Sequence, residues 1–168
     1  MTFLPASVID GARTYAESIR RQLYSATGGA TGVILPGALK VTALPTPGGA
    51  IVIAPGSAAI ASPYPGASGQ SYQVANDAAL QVAVPANNTG APINRHVWVT
   101  VRDPQYPGMP TPSNPETDTY IDVQITANTI TDRPAIKLAT IAMPTGASTV
   151  TPAMITDPRA LAHPTELV

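Results

Sequence analysis

Apolar residues recur at helical spacing only in the first 30 positions of this chain, where Ala12, Tyr15, Ala16, Ile19 and Leu23 fall on one face. The pattern predicts one amphipathic helix. Asp10 is an N-cap residue type and Gly28-Gly29, after Ala26-Thr27, is a stop signal, so the helix is expected over 10–25, about 24 Å long. Arg13, Glu17, Arg20 and Arg21 lie on its other side. A helix this short is marginal alone in water, so its apolar stripe is expected to dock, either on its own domain or on a neighbouring subunit.

From Gly32 onward the pattern changes to short β segments punctuated by Pro and Gly, as in a sandwich or partly closed barrel. Val33 to Leu35 and Leu39 to Leu44 are separated by Pro36-Gly37. Ile51 to Ile53 and Ala58 to Ala61 are separated by Pro55-Gly56, a tight hairpin or corner. Ser71 to Val74 and Leu80 to Val84 flank Asn76-Asp77, a pair that tolerates left-handed backbone, and are expected to form a further hairpin. His96 to Arg102 alternates most clearly. Val97, Val99 and Val101 point to the core, and Trp98 on the opposite face implies that this face is covered too. Tyr120 to Ala127 follows, and Ala135 to Pro144 is so continuously apolar that it reads as a central strand.

Two stretches fall outside this scheme. Residues 103–119 hold five prolines in 17 positions, which excludes a ladder strand and predicts a loop projecting from the body. Residues 152–168 read as an extended C-terminal strap leaving the domain. The organisation expected is thus a helix and linker over 1–30, a β domain over 31–151 and the strap. The fold class is mainly β.

Composition sharpens this picture. The chain is 168 residues long, enough to hide roughly 70% of its unfolded surface in one core. It is 44% hydrophobic but only 11% charged, with 19 Pro, and it carries a formal net charge of -1. That balance provides no field to gather phosphates, so nucleic acid is not an expected partner. Zero Cys excludes disulfides, thiolate nucleophiles and Cys-ligated metals. No apolar run approaches the roughly 20 residues that span a bilayer, and no leader pattern is present, so the chain is expected to be soluble and unprocessed.

Catalytic chemistry has little to work with. Pro65-Gly66-Ala67-Ser68-Gly69 has the wrong spacing for a nucleophile elbow, and phosphate-binding glycine patterns are absent. His96 and His163 are the whole imidazole supply and stand 67 positions apart. Asp103, Glu116, Asp118 and Asp122 bracket the Pro-rich loop; they could offer oxygens to calcium, or simply be solvated or meet Arg95 and Arg102. Eight aromatic residues are a thin supply for a sugar cleft. Asn87-Asn88-Thr89 formally matches a glycosylation acceptor. No enzyme activity, cofactor or resident metal is expected.

The order of certain phrases resembles minor tail proteins of long-tailed phages that infect actinobacteria. They include Ile19-Arg20-Arg21-Gln22-Leu23, Leu39-Lys40-Val41-Thr42-Ala43-Leu44, Pro55-Gly56-Ser57-Ala58 and Ser71-Tyr72-Gln73-Val74. Later come Val97 through Tyr106, Leu138 through Pro144, and Ala153-Met154-Ile155-Thr156-Asp157-Pro158-Arg159, so the likeness covers most of residues 10–160. Pro158 stands where family members often carry Leu. The resemblance implies a structural virion protein of the tail tip, trimeric, that mounts or forms part of the host-adhesion apparatus beside other tail-tip proteins.

The chain's own residues agree with that picture. So few charges suit burial between subunits better than free solution. Tyr15, Ile19 and Leu23, with Arg20 and Arg21 beside them, are the expected assembly face. An alternative function is a host-surface module that binds a cell-wall glycan through the loop flanked by Tyr106 and Tyr120; another is a capsid decoration protein.

Overall fold

The fold is taken from a computed structural model that describes residues 16–106, 108 and 120–162. In chain order, α1 (Ala16–Ala26) is followed by β1 (Gly32–Val33), β2 (Val41–Ala43), β3 (Ala50–Ile53), β4 (Gly56–Ala61) and β5 (Ser71–Asn76). Then come β6 (Leu80–Ala83), β7 (Ile93–Val101), β8 (Ile121–Thr126) and β9 (Ala135–Met143), a 3-10 turn at Pro152–Met154, and β10 (Ile155–Thr156). The strands form three sheets, ordered β1-β4-β5, β2-β3-β6 and β10-β9-β7-β8, and every strand pair within them is antiparallel. The protein is mainly β and sandwich-like, with one N-terminal helix, and none of its sheets closes into a barrel among the described residues.

One apolar cluster runs through all three sheets, with Ile51 and Ile53 from β3, Ile60 from β4, Val74 from β5, and Leu138 and Ile141 from β9. Val97, Val99 and Val101 enter it together, as the period of two requires. Trp98 lies on the other face and is covered there: the Lys137 ammonium sits 5.8 Å from its ring centroid and the His96 ring meets it edge-on. The apolar run at 135–144 forms β9, flanked on both sides by β7 and β10.

The hairpin expected between Ser71–Val74 and Leu80–Val84 does not form. β5 pairs with β4 and β6 pairs with β3, so the chain crosses from one sheet to another after Asn76-Asp77. The same crossing occurs at Pro55-Gly56, which is a corner. Gly56 is at φ +143°, and a Cβ there would stand 2.5 Å from Ala38 Cα, so only glycine lets the two corners meet.

The strap is also corrected. Over its described part it does not leave the body: β10 adds to β9, and Leu161 then forms a parallel bridge with Val33 of β1. The strap therefore stitches the third sheet to the first.

Candidate functional site

One of the expected assembly residues, Arg20 of α1, meets the base of the expected contact loop. Described from Ala16, the helix ends one residue beyond the sequence boundary; Thr27 caps it by donating from Oγ1 to Leu23 O at 3.0 Å, just before Gly28-Gly29. Tyr15 and the N-cap candidate Asp10 lie outside the described residues. The helix rests on β5 through its polar side, so of the two surfaces open to its apolar stripe the body is not the one that Ile19 meets.

Arg20 is the centre of this contact. Its Nε donates to Gln70 Oε1 at 2.6 Å and its Nη2 to Gln105 Oε1 at 3.0 Å, while Nη1 lies 3.4 Å from Asp103 Oδ2. The guanidinium also stands 5.2 Å from the Tyr72 ring centroid. Both charged side chains are largely covered, at 12% and 13% exposure. Asp103 spends its remaining capacity locally: Tyr72 Oη donates to Oδ2 at 2.6 Å and Gln105 N to Oδ1 at 2.9 Å. Burial first, and then the hydrogen bond to Asp103, push the Tyr72 phenol far above the ordinary tyrosine value.

The base of the Pro-rich loop is held by the same cluster. Tyr106 stacks on Tyr64 at 4.2 Å with a 14° interplanar angle, and Tyr64 Oη donates to Val101 O at 3.2 Å. Tyr106 therefore packs one ring face against the body rather than presenting both outward. Tyr120 is half-buried and lines a cleft of about 560 Å³ with Arg20, Tyr72, Gln73 and Ile121. The cleft's ionised groups are already engaged with each other. Its chemistry is fastening. Residues 107 and 109–119, including Glu116 and Asp118, lie outside the described residues. Asp122 meets Arg102 at 3.3 Å, and no three acidic or imidazole groups converge on a cation position among the described residues.

The other assembly residues separate sharply. Ile19 is 54% exposed, pointing away from the body, and Leu23 is half-buried. Arg21 stays near the surface, bonded to Glu17 from both Nε and Nη2 and to Ser68 O at 3.3 Å. Arg20 and Arg21 look alike in sequence, yet Arg20 is the covered tether and Arg21 reaches the body through an exposed bond.

Two further sites carry weight that their sequence signals understate. Asn87 is fully buried, and its Nδ2 donates to the carbonyls of Ala91, Met143 and Pro144 at 2.7–3.1 Å. Its Oδ1 accepts from Thr89 N and Oγ1, so the apparent glycosylation triplet is an internal loop clamp. Arg159, in the strap, buries its side chain to 4% exposure while pairing with Asp157 and donating to Ala38 O and Pro36 O. No protein-family model matches this chain, and no curated protein or solved structure matches it.

Proposed function

We propose that this protein is a structural, non-enzymatic subunit of a phage tail tip that assembles as an oligomer, a trimer on the family resemblance, and mounts or forms part of the adhesion apparatus. The observation that carries the assembly part of this reading is the orientation of α1. The helix spends its polar side on its own domain and turns Ile19 outward, which leaves an apolar position available to a neighbouring subunit. The rigid fastening of helix and loop base by Arg20, Asp103 and the tyrosines suits a permanent particle, in which an interface must be presented without rearrangement.

The test has two arms. Light scattering on the purified chain should return a multiple of 17.2 kDa, and Ile19→Asp should reduce it to the single-chain mass with the thermal transition of the β domain unchanged. Antibody raised against the chain should label the tail tips of intact particles. A single-chain mass at high concentration, together with unlabelled particles, refutes the proposal.

A further inference from the structure

The cleft beside Arg20 does not end at Ile121. That residue is also a wall of a second cleft, of about 230 Å³, so the two form one groove running from Ala16 of α1 to Leu80 of β6. One side of the groove is β5. Tyr72 and Gln73 line its first half and Val74, Ala75 and Asn76 its second; successive side chains of a strand point to opposite faces, so this unbroken run means that β5 presents its edge. Among the described residues that edge is unpaired, since β5 is the last strand of its sheet and joins only β4. The other side is apolar: Val99 and Val101 of β7, with Ile121 and Val123 of β8.

A free strand edge beside an apolar wall suits an extended segment, whose backbone pairs with the edge while its side chains cover the wall. Two aliphatic residues of the groove stand open to receive it, Leu80 at 42% exposure and Ile121 at 38%. The chain supplies such a segment at the right end. Ala16 lines the mouth of the groove, and residues 1–15, which lead into it, lie outside the described residues. Within them Phe3-Leu4-Pro5-Ala6-Ser7-Val8-Ile9 carries no charge. Extended, that stretch spans about 23 Å against about 20 Å for β5, and residues 10–15 add a reach of up to about 20 Å. Direction fits as well. β5 runs away from Ala16 and a segment leading into Ala16 runs toward it, so the two would be antiparallel, like every strand pair within the three sheets. Pro5 lacks an N–H and is tolerated in an edge strand, which is what the added strand would be.

We propose that residues 3–9 occupy this groove in their own chain as an added strand, hydrogen-bonded to the β5 edge and covering Ile121 and Val123. The added strand closes the open side between the first and third sheets, and it fastens the leading end of α1 beside the place where Arg20 and Asp103 fasten its flank. The inference stands on the groove and on the reach of the chain, independently of the reading of the protein as a virion subunit.

The absence of native cysteine makes the test direct. Ala75→Cys, exposed on the groove, is combined in the full chain with a cysteine at each position from 3 to 9 in turn, and each double variant is oxidised at low concentration and run on a denaturing gel without reductant. Closure within single chains is expected at alternate positions, because only every second side chain of a paired strand comes to the side of residue 75. Equal closure at all positions, or closure at none, overturns the proposal. Linkage between chains overturns it too, while supporting self-assembly. A second measurement needs no thiol: full-length Val8→Asp with Ile9→Asp puts a charge on whichever side of the strand faces the apolar wall. Hydrogen exchange at Ser71–Asn76 should then quicken by about tenfold or more, with Ala135–Met143 as protected as before. Unchanged exchange at Ser71–Asn76 overturns the proposal.

Discussion

Replacing Arg20 by alanine should loosen the helix while leaving the sheets intact. The side chain makes two charge-assisted contacts at a covered site, to Gln70 and to Asp103, each worth roughly 1.5–3 kcal/mol net. A cation–π contact with Tyr72 adds about 0.5–1 kcal/mol. The exposed bond to Gln105 adds little. Several terms offset the loss. Asp103 keeps the Tyr72 hydroxyl and the Gln105 amide, and it lines the adjoining cleft, where water can reach its carboxylate. The net cost expected is about 2–4 kcal/mol, the range in which losing one partner of a covered polar pair falls. Arg21→Ala is the control. Its pair with Glu17 is a surface contact one helical turn apart, worth about 0.3–0.5 kcal/mol, and its bond to Ser68 O is exposed and long, so it adds little. Hydrogen exchange over Ala16–Ala26 reads the local opening, and denaturant unfolding reads the global part. For a chain of this size about 3 kcal/mol expressed globally lowers Tm by roughly 6–12 °C. If Arg20→Ala and Arg21→Ala weaken protection of the helix by the same amount, the tether assignment is wrong.

Two further outcomes follow from the same geometry. Asn87→Ala should cost about 1–3 kcal/mol in denaturant unfolding, because the buried Met143 carbonyl loses the Asn87 amide, while the Ala91 and Pro144 carbonyls keep Thr89 Oγ1 and Ala147 N; a change below about 0.5 kcal/mol would contradict the loop clamp. Tyr72 has a folded-state pKa raised above its unfolded value, so its contribution is whole below about pH 10 and drains away as pH rises beyond that. Unfolding midpoints measured from pH 9 upward should therefore fall more steeply for the native chain than for Tyr72→Phe, with equal slopes counting against the buried phenol.

What the sequence made legible was whatever depends on one segment and a common core. Val97, Val99 and Val101 alternate because β7 has one face in the apolar cluster, and β9, interior in its sheet, sends Ile136, Leu138, Ile141 and Met143 into the same cluster. The connection at Asn76-Asp77 was misread since turn residues state that the chain bends and not which strand it joins afterwards; β6 finds its partner in β3, some thirty residues earlier. Which side of the helix meets the body was hidden for a related reason. Arg20 belongs to the inner side only because Gln70, Asp103 and Gln105 are brought to it from 50 to 85 positions away. Nothing local separates it from Arg21. The strap's course was hidden in the same way, since Arg159 is anchored by backbone carbonyls, which any residue possesses. Gln70 and Asn87 illustrate the remaining gap: a polar residue in a loop carries the same letter whether water or the interior receives it.

The short run of strap from Ile155 to Ala162 also sets how the molecule would respond to load. Tension on its far end is met in sequence, first by the Val33 bridge and the Arg159 plug, then by the two-residue β10 ladder, and only after both by β9 and the interior. Because those outer links are few, tension applied beyond Ala162 would open them before it reached β9 and the interior.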